Sequence, residues 1–149
     1  MPRTDTPQSR QRLALLTYVR LMRATNSVRS FAAHSLDDTS LTLTQFAVLE
    51  ALYHLGPMSL TDIAGKILTT GGNLTMVVGN LTKQGHVQKH CSPQDRRMYI
   101  VALTSKGKAL MRDVFPKHAA ALTAFFGTLS SDEQEQLGNL CRKLGKQER

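Results

Sequence analysis

The sequence predicts a mainly helical chain carrying one small β-hairpin, and three observations support that reading. Residues from about Ser9 to Leu36 contain neither Gly nor Pro and repeat apolar side chains over many turns. Two short segments with helical apolar spacing follow, Leu60 to Leu68 and Thr70 to Lys83, joined by the small residues "TTGG". Then "HVQKHC" (86–91) and "MYIVALT" (98–104), both β-rich, flank the turn-forming "SPQDRR" (92–97), which reads as a hairpin.

Taken in order, residues 1–8 hold two prolines and are expected to form a flexible arm. The first helix places Leu13, Leu16, Val19, Leu21, Met22, Val28 and Phe31 on a broad apolar side, and "DDTSL" (37–41) breaks it. Thr44 is expected to cap a second helix with Phe46, Leu49, Leu52 and Tyr53 inward, closed by Gly56-Pro57. Ser59 and Asp62 have the spacing of a capping box, opening a short helix with Leu60, Ile63, Ala64 and Ile67 buried. After the hairpin, Ser105 begins a long helix to about Gly127, with Pro116 a possible kink point. Behind a Ser130/Ser131 cap, Leu137, Leu140, Cys141 and Leu144 recur at i, i+3, i+4 and i+7. The first and last helices are too long and too apolar to be covered by a domain of this kind, so their stripes are expected to bury against a second copy in a homodimer.

Charge narrows the function. Nineteen Lys and Arg against eleven Asp and Glu give 149 residues a net charge of +8, which favours a polyanionic partner, nucleic acid ahead of an anionic membrane. No run approaches the roughly 18 apolar residues of a membrane span, and "MPRTDTPQSRQR" lacks the apolar core of a secretory signal, so a cytoplasmic protein is expected. Cys91 and Cys141 show no C-x-x-C spacing, which argues against a disulfide framework or zinc knuckle. Cys141 falls on an apolar stripe and is expected to pack inertly, and Cys91 is expected to be structural as lone cysteines usually are, a thiol sensor beside Lys89 and His90 being the less favoured alternative. His86 and His90 are spaced for chelation on a helix, but in a strand four residues span roughly 13 Å, too far to share a metal. His34, His54 and His118 are scattered, no nucleophile–base pair or carboxylate pair stands out, and no cofactor motif is present. No metal, cofactor or enzymatic activity is expected.

The stretch "TGGNLTMVVGNLTKQG" (70–85) is the most telling. Leu74, Val77, Val78 and Leu81 form one apolar stripe, while the other side offers Asn73, Thr75, Met76, Asn80 and Lys83. A solvated helix face normally carries more Glu and Lys. Amides, hydroxyls and one thioether suit base edges and thymine methyls in a major groove, and the glycines at the helix start let backbone N–H groups approach a phosphate. With the preceding short helix this is a helix-turn-helix, and the hairpin behind it is a wing. Thr70, Gly72, Asn73, Thr75, Met76, Asn80 and Lys83 are therefore candidate DNA contacts. Arg96 and Arg97 at the wing tip join them as minor-groove or phosphate contacts, with Asp95 expected to orient one guanidinium. An architectural binder that grips DNA without reading it would keep the charge but has little use for the uncharged face.

These pieces resemble a known family. "LTxxQFxVLxxL" from Leu41, "GNLTxxVxxLxxxGHV" through the recognition helix, "SPxDRR" at the wing and "LTxxG" behind it occur in the order and spacing of the MarR family of bacterial winged-helix regulators. The resemblance implies a homodimer bound to a pseudo-palindromic double-stranded operator, usually as a repressor, with Arg97 entering the minor groove. It divides the chain into a DNA-binding region, 41–104, and a helical dimerisation region, 9–36 with 105–149. It also implies a small aromatic or phenolic effector between the two, where Phe31, His34, Tyr53 and Met76 are the expected lining. One departure stands out: many members carry an acid at the position of Gly79, where it braces a wing arginine.

Overall fold

The computed structural model describes residues 6–67 and 71–146. Nine elements follow one another: α1 (Pro7–His34), α2 (Leu43–Leu55), β1 (Met58–Ser59), α3 (Leu60–Lys66), α4 (Gly71–Lys83), β2 (Val87–Cys91), β3 (Tyr99–Leu103), α5 (Ser105–Phe126) and α6 (Ser131–Gly145). The fold is the expected one, mostly helical with a small antiparallel sheet.

Several boundaries differ from the sequence expectation for identifiable reasons. The segment assigned to a flexible arm, 1–8, already turns helical at Pro7, because Thr6 accepts the Ser9 backbone N–H and proline suits the first helical position. Thr42, not Thr44, caps α2, since Gln45 closes a reciprocal capping box with it. At α3, Ser59 does accept the Asp62 N–H, but the Asp62 carboxylate takes the Ser59 hydroxyl at 2.7 Å instead of returning to the backbone, so the box is not reciprocal. Ser59 belongs to β1, a two-residue strand that the sequence reading did not anticipate, paired through Met58↔Val101 and Ser59↔Ile100. The sheet order is β1-β3-β2, with Val87↔Leu103 through Cys91↔Tyr99 closing the hairpin. Helix α5 runs unbroken through Pro116.

The core lies beneath the helix-turn-helix. Phe46, Leu49, Ile63, Leu74, Leu81 and Met111 are all fully buried there, and the Leu74, Val77, Val78, Leu81 stripe of α4 faces inward as its spacing requires. His118 of α5 ties the long helices to this core. Its Nδ1 lies 2.7 Å from the Ser35 hydroxyl after α1, and its ring packs on Phe46 of α2 at 4.3 Å between centroids. By contrast, Leu13, Leu16, Val19 and Met22 of α1 and Leu137, Leu140 and Leu144 of α6 stand exposed in the single chain. Cys141 is exposed with them, contrary to the packed setting expected, because no described residue of this chain covers its stripe.

Candidate nucleic-acid interface

Helix α4 presents its uncharged side to solvent. Asn73, Thr75, Met76, Asn80 and Lys83 are all exposed, Met76 by 61%, and Lys83 in the last turn is the helix's one charged residue. Gly72 lies in the first turn, while Thr70 falls outside the described residues. The helix stops in a Schellman arrangement: the His86 N–H reaches the Leu81 carbonyl at 3.0 Å, the Gly85 N–H reaches that of Thr82 at 3.0 Å, and Gly85 takes φ of 77°.

That stop is locked to the next helix. The Thr104 hydroxyl caps α5 by accepting the Gly107 N–H and itself donates to the Gly85 carbonyl at 2.6 Å. The Lys106 ammonium donates to the Gln84 carbonyl at 2.8 Å. A Cβ on Gly107 would overlap the His86 carbonyl, so only glycine permits this approach of α5 to the wing hinge. The "LTxxG" motif thus has a mechanical role, holding the recognition helix and wing at one angle. His86 itself is buried, its Nδ1 without a hydrogen-bond partner among the described residues, and burial first, then the nearby Lys106 charge, lowers its pKa.

At the wing tip, Ser92 N–H bonds the Met98 carbonyl at 2.7 Å and Met98 N–H the Asp95 carbonyl at 3.0 Å. The Asp95 carboxylate accepts the backbone N–H of Arg97 at 2.9 Å, building the turn, and the expected Asp95–guanidinium pairing is absent among the described residues. A short carboxylate finds the amide two residues on more readily than a flexible side chain. Arg96 and Arg97 remain exposed at the wing tip.

The expected effector residues do not gather. Phe31 and His34 border a shallow groove with Phe125, which stacks on Phe31 at 4.7 Å. Tyr53 packs against His54 and Phe115, and Met76 projects from α4. A different cavity, of about 670 Å³, opens between α1, α2 and the end of α3. Apolar Leu43, Ala47 and Ala51 line it alongside Arg29, Glu50, His54 and Lys66, none of which the sequence reading placed in a pocket. The available signal was Glu50 and His54 at i, i+4 beside two alanines on an otherwise apolar helix. Among the described residues no three His, Cys, Asp or Glu side chains come together as a metal set, and no helix is long and apolar enough to cross a membrane.

A family model described as MarR matches residues 41–99, which span the helix-turn-helix and most of the wing. The regulator MhqR of Bacillus subtilis is 35% identical across 89% of this chain and 91% of its own length. The chain belongs to the MarR family. A second B. subtilis HTH-type transcriptional regulator, YkoM, which is uncharacterized, is 37% identical over 78% of each chain. Among solved structures, BpsR of Bordetella bronchiseptica, whose DNA binding is regulated by 6-hydroxynicotinic acid, superposes with a TM-score of 0.79 at 28% identity, covering 86% of this chain and 91% of that one. Sco3205 of Streptomyces coelicolor, solved with DNA, shares the fold with a TM-score of 0.82 at 24% identity, over 89% and 88% of the two chains. This MarR-family chain is a DNA-binding transcriptional regulator and not an enzyme.

Proposed function

We propose that this MarR-family chain acts as a cytoplasmic homodimeric repressor of a pseudo-palindromic operator and is released by a small aromatic or phenolic effector. The observation that carries the DNA-reading part is α4, whose exposed side holds a single charge beside an arginine-tipped wing. Gripping phosphates would call for lysines and arginines; amides, hydroxyls and a thioether suit base edges. Asn73, Thr75, Met76 and Asn80 are assigned to the major groove, Thr70, Gly72 and Lys83 to its flanking phosphates, and Arg96 and Arg97 to the minor groove and backbone.

The dimer is supported by the apolar faces of α1 and α6, which a single chain leaves open. Residues 9–36 and 105–149 form the proposed dimerisation region and 41–104 the DNA-binding region. Effector response is supported by the cavity of about 670 Å³, a size suited to a small ligand. This cavity, in place of the dispersed Phe31, His34, Tyr53 and Met76, is the proposed effector seat. It lies between α1 and the helix-turn-helix, so an occupant preferring one spacing of those elements would move the two recognition helices away from half-sites about 34 Å apart.

The test is selection of random duplex DNA on the purified protein at about physiological salt, followed by sequencing. A palindromic consensus is the expected result. Retained binding with no consensus would replace the regulator of a defined operator with an architectural binder.

A further inference from the structure

Resting on the operator-binding reading above, we infer that Met76 reads the C5-methyl group of a thymine at the centre of each half-site. Gly72, Met76, Gly79 and Lys83 recur at i, i+4, i+7 and i+11 along α4, on the line opposite the buried Leu74, Val77, Val78 and Leu81 stripe. That line is the part of a helix that goes deepest into a groove. Met76 is its one apolar side chain, and it has a glycine about one turn away on either side.

Gly79 is not there for the protein's own packing: a Cβ at that position would meet no atom within 4 Å. Glycine weakens a helix interior, so its placement on the outward line fits a surface that something outside the chain approaches closely. The flanks are paired in the same way, with Asn73 and Asn80 on one side and Thr75 and Thr82 on the other. The Thr82 hydroxyl is turned back onto the Val78 carbonyl at 2.8 Å.

The chemistry of this line selects a base. Guanine is read in the major groove by Arg or Lys bridging its O6 and N7, and α4 carries no cation before Lys83 at its C-terminal end. A thioether offers no hydrogen bond worth a base edge, but it is unbranched and polarizable and packs on an apolar group. In the major groove that group is the thymine methyl. A lone exposed methionine is ordinary on a protein surface; one at the middle of a nearly uncharged recognition face, between two glycines, is placed to meet a methyl.

The experiment takes the duplex enriched by the random-DNA selection and replaces its thymines one at a time with deoxyuridine, which removes only the C5-methyl. Binding is read by fluorescence anisotropy for the wild-type protein and for Met76→Ala, whose folding is verified by thermal denaturation. One thymine per half-site is expected to lose about fourfold in wild-type affinity, the effect of one methyl-sized group, and to lose nothing in Met76→Ala. A consensus in which no uridine replacement weakens binding, or in which the uridine penalty is the same in Met76→Ala, overturns the inference and leaves the operator-binding reading standing. Failure to obtain any consensus overturns both.

Discussion

Gly79→Ala separates what α4 does for the fold from what it does for DNA. In the free protein the new methyl meets no atom within 4 Å, so there is no steric term to oppose the gain in helix propensity. That gain is up to ~1 kcal/mol, which for a chain of this size raises Tm by about 2–4 °C. In the proposed docking on DNA the same methyl stands on the outward line of the recognition helix, where it must be accommodated against bases or backbone. Overpacking of a fitted contact costs roughly 1–3 kcal/mol, so a loss of operator affinity between about fivefold and about a hundredfold is expected. The assay pairs thermal denaturation with anisotropy titration at fixed salt. A stabilised protein that binds operator as tightly as wild type would refute close approach at Gly79, and a destabilised one would refute the open space assigned to its Cβ.

Three further outcomes are expected. Gly107→Ala forces a Cβ into the His86 carbonyl, where backbone must yield, and should cost about 3 kcal/mol, seen as a shift of the urea midpoint. Arg97→Ala should weaken operator binding several-fold and flatten its salt dependence without lowering Tm, because the Asp95 turn uses the Arg97 backbone N–H and not its guanidinium. His86 and His118 both have pKa values below the ordinary 6.5, chiefly through burial, with Lys106 adding to the fall at His86 and Glu50 opposing it at His118. The unfolded chain therefore takes up protons at these sites before the folded chain does. Their contribution to stability is complete above pH 6.5 and is lost as pH falls below it. The pH-dependent part of Tm between 7.5 and 5.5 should shrink in His118→Gln, and an unchanged slope would clear His118 of that role.

The parts of this molecule that were legible in the sequence are those whose signal is local and periodic. The α4 stripe at 74, 77, 78 and 81 declared its helix and its inward face together, and the hairpin showed itself through two β-rich runs around a Pro-Asp turn. What the reading placed wrongly lay where two local solutions compete. Thr42 and Thr44 both precede the apolar run, and the choice falls to Thr42 because Gln45 stands three residues on. Asp95 could meet a guanidinium or an amide, and the amide is nearer. β1 escaped notice because two residues carry no alternation; it exists only through its pairing with β3 some forty residues away. The cavity has only the Glu50 and His54 pair on α2 as a local signal, because Arg29 and Lys66 join it from two other elements.

These non-local features share a consequence for how a signal could travel. The cavity lies between α1 and α2, and α2 packs on the same core as α4 and α5. α5 in turn is capped by Thr104, whose hydroxyl holds the Gly85 carbonyl at the end of the recognition helix, while Lys106 holds that of Gln84. The recognition helix is thus restrained at its C-terminal end by α5 and along its length by a close-packed core, which transmits displacement instead of absorbing it. Where α5 passes the C-terminal end of α1, His118 meets Ser35 and Phe46. Under the proposed effector seat, a shift of α1 against α2 would have a continuous packed route to the angle of α4. Within that route the Ser35–His118–Phe46 junction is the polar joint, and a variant there is the place to look for DNA affinity and the proposed effector response changing together.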